Sequence, residues 1–231
     1  GNKLSIVSEG SETLAYGYDG DLVTSINYAG SLDAEITQGY DNNFWLSSLS
    51  YAGKNTALSY DNDGLLTGIN GFTIGRHKDN GLPENVSDSR FDQARTYNAF
   101  AETTGMTQKV NDKRSYDYSL SYSLVGQIIE KTETLFDGTV NQFVYGYDEK
   151  NRLVSVSKNN VETERYEYDA NGNRLKHTVL ARGISEQVAT YNIGDQLESS
   201  GVSQFEYDDN GRLSKKTNGT AIEEYTYSSQ G

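Results

Sequence analysis

The sequence has no cysteine, one proline, one methionine, one tryptophan and two histidines among its 231 residues. Without cysteine there is neither a disulfide framework nor a thiolate metal site, and the redox compartment stays open. A nucleophilic triad needs an imidazole beside its nucleophile, and only His77 and His177 could supply one. No run of 18 or more apolar residues occurs, so no membrane span is expected. Basic residues are outnumbered, 20 against 33 acidic, for a net charge of −13. A protein that tracks nucleic-acid phosphates needs clustered Lys and Arg instead.

Apolar residues are also scarce, at 35%, with a mean hydropathy of −0.71. Such a composition borders on disorder, but disordered chains are poor in aromatics and this one has 18 tyrosines. A thin β-structure is the better expectation. The length admits one or two domains and a sizeable core. The chain begins at Gly1, holds its one methionine at Met106, and stops within a recurring pattern at 224–228. A segment of a longer parent is therefore expected. No basic stretch followed by an apolar one stands at its start, so no signal peptide is expected within it.

One string recurs: an aromatic, any residue, Tyr-Asp, three or four turn residues, then Arg-Leu or Leu. Tyr166-Glu167-Tyr168-Asp169-Ala170-Asn171-Gly172-Asn173-Arg174-Leu175 is the clearest copy. Tyr147-Asp148 leads to Arg152-Leu153, and Tyr207-Asp208 leads through Gly211 to Arg212-Leu213. Looser copies stand at Tyr18-Asp19, Tyr40-Asp41 and Tyr60-Asp61. Tyr97-Asn98, Tyr122-Ser123 and Tyr191-Asn192 have lost the Asp. Key tyrosines lie 20 to 22 residues apart in the regular stretches, which identifies a tandem repeat. The longest interval, from Tyr60 to Tyr97, is expected to hide a decayed copy within 71–88.

Each copy has a direct physical reading. Tyr-x-Tyr alternates at period 2, so both rings project from one face of a strand. The Asp begins a turn, its carboxylate accepting from the backbone two residues on. Asn171-Gly172, Asn210-Gly211 and Asn151 are expected to supply positive φ. The following Leu starts a return strand, and the unit is a β-hairpin. Ordering about 21 residues costs roughly 20–40 kcal/mol of backbone entropy. About five large apolar side chains, at roughly 1.5–3 kcal/mol each, cannot offset that within one unit. Neighbouring hairpins must pair edge to edge, so residues 1–231 are expected to form a single array.

The repeated Tyr-Asp…Gly-Arg-Leu string resembles the YD repeats of the RHS family. That family includes bacterial RHS polymorphic toxins, the C component of insecticidal toxin complexes, and teneurins. The resemblance implies an all-β fold of tandem antiparallel hairpins in one continuous curved or spiralling sheet, an arc of an RHS-type shell. In the toxins the shell encloses a C-terminal cytotoxic segment, and in teneurins it is a cell-surface scaffold. The plug and aspartyl self-cleavage centre of the family have no counterpart in this sequence. The implied role is non-enzymatic, without cofactor or metal. The implied partners are the remainder of the parent protein and its encapsulated C-terminal segment. The implied location is secreted or at the cell surface. The alternative is a cell-surface adhesion or carbohydrate-binding module, whose tyrosine rows would meet glycans or a receptor.

Other chemistry fares worse on the residues themselves. His77 and His177 lack a neighbouring nucleophile or close metal-ligand spacing. Carboxylates that recur once per unit behave as turn residues, whereas a glycosidase pair is unique in its chain. Asp61-Asn62-Asp63-Gly64 and Asp208-Asp209-Asn210-Gly211 are rich in oxygen but lack the closing glutamate of an EF-hand.

Overall fold

The computed structural model describes residues 3–31 and 33–227. The chain is all β: 22 strands, with a three-residue 3-10 turn at Leu180–Arg182 as the one helical element among the described residues. It divides into two compact units, Gly1–Asp117 and Tyr118–Gly231. In the first, eleven strands from Ile6–Glu9 to Thr103–Val110 each pair antiparallel with the next. Strand Lys113–Tyr122 carries the chain across the boundary. In the second, ten strands from Ile128–Leu135 to Ala221–Glu224 repeat the pattern. The tandem antiparallel hairpins expected from the sequence are the fold.

The length would permit a sizeable core, yet none forms. Among the described residues only Asn141, Val156, His177 and Ala189 are buried. Side chains are instead half-covered by their neighbours along and across strands. Stability must then come from backbone ladders and from rows of cross-strand pairs, as in any single-layer sheet.

The hairpins close through two kinds of turn, of which sequence reasoning found one. At one end of the strands lie the Asp turns. At the other lie mostly two-residue loops, with longer connections between Leu135 and Val140 and, through the 3-10 turn, between Val179 and Ile184. Ala52-Gly53, Asn70-Gly71, Asn111-Asp112 and Asn159-Asn160 have positive φ at both positions, the type I′ geometry. Gly10, Gly201 and Gly219 have it at the first position only, as type II′ requires.

The residue before each key tyrosine faces away from it, and its cross-strand partner is matched to it. Gly17, Gly39 and Gly146 stand opposite Ser25, Ser48 and Ser155, and a Cβ on any of these glycines would strike the serine hydroxyl. Where the residue is Glu, the partner is Lys: Glu206 and Lys215 lie 2.9 Å apart, Glu167 and Lys176 3.7 Å. Gly146→Glu alone should therefore destabilise the second unit, and Ser155→Lys should restore it. A double-mutant cycle in denaturant should show a coupling of about 0.2–1 kcal/mol. Additive single effects would show that the two positions act independently.

Candidate functional site: the aspartate rim

Among the described residues eight turns founded by Asp, Asn or Ser share one geometry, and the loop from Leu135 to Thr139 has the same backbone pattern without a side-chain anchor at its first residue. Asp41, Asp61 and Asn98 found three in the first unit; Ser123, Asp148, Asp169, Asn192 and Asp208 found five in the second. In each, the founding residue's N–H donates to the carbonyl four residues on, and its own carbonyl accepts from the N–H three residues on. The third loop residue has positive φ: Phe44, Gly64, Ala101, Gly126, Asn151, Gly172, Asp195 and Gly211. This is the three-residue hairpin loop with a bulge. Asn171 and Asn210 are not at positive φ, contrary to expectation; their N–H groups point at the Asp carboxylate instead.

The founding side chain holds the loop with one oxygen. It accepts from the N–H groups two and four residues on, at 2.8–3.3 Å in all eight turns. Asp, Asn and Ser all offer that acceptor, which explains why the degenerate copies still turn. The second carboxylate oxygen is free for the residue at plus four. Arg152 Nε donates to Asp148 Oδ2 at 2.7 Å, Arg212 Nε to Asp208 Oδ2 at 2.8 Å, and Asn173 Nδ2 to Asp169 Oδ2 at 2.9 Å.

The plus-four side chain then reaches the next turn. Arg152 Nη1 donates to the Asp169 carbonyl at 2.7 Å, and its guanidinium carbon lies 4.7 Å from the Tyr168 ring centre. Arg212 lies 4.6 Å over Tyr227. Asn173 Nδ2 donates to Asp195 Oδ1, and Gln196 Nε2 to the Gly211 carbonyl. In the first unit the contact is apolar: Trp45 lies 5.5 Å from Tyr60.

The tyrosine before a founding residue, and Tyr227 likewise, stitches its hairpin to the one before. Tyr147 donates its hydroxyl to the Ile128 carbonyl, Tyr168 to Leu153, Tyr207 to Leu197 and Tyr227 to Leu213, at 2.8–2.9 Å. Tyr40 and Tyr60 reach Val23 and Leu46 in the same way at 2.8 Å. Each acceptor lies where the ladder between hairpins has stopped short of the rim. Strand Leu153–Lys158, for example, first meets Val161–Tyr168 at Ser155 and Arg165. The phenol satisfies a carbonyl that would otherwise be orphaned, which Phe could not do.

Three expected positions depart from this frame. Tyr18 donates to the Leu4 carbonyl, but Asp19 pairs with Leu22 across a two-residue loop and is exposed. Its chain is too short there for an anchored turn. The copy at 166–175 runs one residue long, so Asn173 takes the arginine position. Arg174 pairs with Tyr168 where leucine stands elsewhere, and Leu175 is exposed.

The decayed copy lies at Arg76-His77. Arg76 donates through Nε and Nη2 to the Leu66 carbonyl, doing what a phenol does elsewhere. His77 Nδ1 accepts from the Asp79 N–H, in the manner of the Asp carboxylate. The loop is one residue longer, closing from His77 N–H to the Leu82 carbonyl. Nothing in residue identity signals this copy; its offset from Tyr97 could have.

Among the described residues no group of three His, Asp or Glu is placed to hold a metal. The anchoring oxygens of Asp61 and Asp208 are already occupied by backbone N–H groups. Among the described residues no helix is long and apolar enough to cross a membrane.

This architecture has close counterparts. The backbone superposes on a chain of the Photorhabdus luminescens Tc holotoxin pore with a TM-score of 0.69, at 13% identity over 98% of this chain and 15% of that one. A TcdB2-TccC3-Cdc42 crystal structure gives 0.63, at 15% identity over 89% and 13%. At such identities the likeness establishes the fold alone. In sequence, chicken (Gallus gallus) teneurin-1 is 28% identical over 120 residues, 51% of this chain and 4% of that protein. Human (Homo sapiens) teneurin-4 is 23% identical over 196 residues, 81% of this chain and 7% of that protein. The chain thus spans a small fraction of these relatives' length. With the Teneurin YD-shell family matching residues 3–231, the chain belongs to that family and is a segment of a YD shell.

Proposed function

We propose that this segment is a stretch of curved wall in an RHS-type shell that encloses an effector segment of the same parent polypeptide. The observation that carries the reading is the phenol bond between successive hairpins, which closes a seam where the ladder stops. A wall stitched in this way leaves few openings for a protease or for an unfolded cargo chain. Residues 1–231 act as one array, with Tyr40, Asp41, Tyr60, Asp61 and the later Tyr-Asp pairs as its joints. The role is mechanical, without catalysis or cofactor, and the partners are the rest of the parent and its enclosed C-terminal segment. A net charge of −13 suits a basic cargo. A secreted or surface-exposed parent follows from the same family reading.

The test is limited proteolysis of the parent protein. The enclosed segment should resist trypsin while the wall is intact. It should become cleavable when Asp148→Ala, Asp169→Ala and Asp208→Ala loosen the rim. Equal cleavage of that segment in both proteins would overturn the enclosure.

A further inference from the structure

His177 lies on the strand Arg174–Val179 and is only 8% exposed. Its Nδ1 is buried and has no hydrogen-bond partner. Buried polar nitrogens are seldom left so, because the desolvation is uncompensated. The imidazole opens onto a cleft of about 270 Å³ that Glu164, Tyr166, Arg174 and Arg182 also line. Val179 and Ile184 close it with apolar surface.

The charges in this cleft are unbalanced. Among the described residues, neither Arg174 nor Arg182 forms an ion pair with a carboxylate. Arg174 lies 5.8 Å over the Tyr166 ring. Glu164 is the one acidic side chain in the cleft, and it is engaged by the Tyr166 hydroxyl. Burial first, then that carboxylate, pushes the Tyr166 phenol up to about 12, so it stays a neutral donor. Burial, then the two guanidiniums, lowers the His177 pKa and keeps the ring neutral. From the other neighbouring strand, Gln187 faces His177 and is uncharged.

We propose that this cleft binds a compact oxyanion, held by the guanidinium forks of Arg174 and Arg182 against the His177 ring. Guanidinium forks match the spacing of carboxylate and phosphate oxygens, and the imidazole beside them reports on what they hold. With two cations against one carboxylate, the cleft carries an unneutralised positive charge in an otherwise acidic chain. The side chains of the site take no part in the anchored turns or in the phenol bonds, and its ligand is a carboxylate or a phosphate.

The experiment follows the imidazole resonances of the 231-residue chain by NMR at neutral pH, with acetate and inorganic phosphate as separate probes. Sodium chloride at matched ionic strength is the control, and a His77→Gln variant assigns the two rings. The His177 signal should shift saturably with at least one probe, and the bound anion should raise its apparent pKa. R174Q and R182Q, both at exposed positions, should each weaken binding about tenfold. Phosphate alone saturating identifies a phosphate-type ligand; acetate saturating admits carboxylates. A shift that merely tracks chloride for both probes overturns the site. So does unaltered affinity in both arginine variants while their β-sheet circular dichroism is intact.

Discussion

The triple variant Tyr147→Phe, Tyr168→Phe, Tyr207→Phe should still fold but lose about 3 kcal/mol of unfolding free energy, roughly 1 kcal/mol for each hydroxyl. Each change removes only the donor to Ile128, Leu153 or Leu197 and leaves the ring in place. The loss comes from a carbonyl beside the seam, where the ladder between hairpins has stopped. Tyr16→Phe is the control, since Phe205 already fills the equivalent position in a later copy. That change should stay within about 0.5 kcal/mol of the parent. Urea titrations of the 231-residue chain measure both. A triple variant as stable as the parent would mean that water takes over the carbonyls and that the seam is not held by tyrosine.

Removing the anchors should have the other large effect. Asp148→Ala, Asp169→Ala and Asp208→Ala together should lower the melting midpoint by roughly 5–10 °C. Each deprives two loop N–H groups of their acceptor and the plus-four residue of its partner. The corresponding Asn variants should lose much less, because Asn98 and Asn192 hold the same turn in this chain.

The same carboxylates set the response to acid. Asp148 and Asp208 are held below the usual carboxylate range chiefly by the backbone N–H groups of Arg152 and Arg212, and Asp169 chiefly by the Asn173 side chain. A depressed folded pKa contributes stability above the unfolded value, and that stability is lost as pH falls through the folded one. The melting midpoint should thus hold steady down to about pH 5 and fall below about pH 4. The triple Asn protein should fall less steeply. Identical acid profiles for the two proteins would remove the anchors from the explanation.

What the sequence discloses here is the local chemistry of the hairpin. Asp with Gly or Asn three residues on is a turn because of what those residues can do alone, and the turns founded by Asp61, Asp148, Asp169 and Asp208 form accordingly. What it conceals depends on substitution by function. Arg76-His77 is a Tyr-Asp pair in hydrogen-bonding terms, but a guanidinium and an imidazole share no letters with a phenol and a carboxylate. Arg174-Leu175 errs in the opposite sense, matching in letters while shifted one place in register. Asp19 has the letters and lacks the loop length. The thin sheet was legible in the scarcity of apolar residues, whereas the alternating pattern alone serves half-buried rows and a buried interior equally. Only coordinates distinguish one sheet from two packed face to face.

The phenol bonds have a direction. In every copy described, the donor belongs to the later hairpin and the acceptor to the earlier. A hairpin leaving the ribosome therefore finds the carbonyl it must cap already in place, and it offers a fresh one to whatever is synthesised next. Growth can proceed like masonry, one course resting on the last, with the unfinished surface confined to the newest hairpin. Under the enclosure proposed above, that order would build the container before its contents arrive.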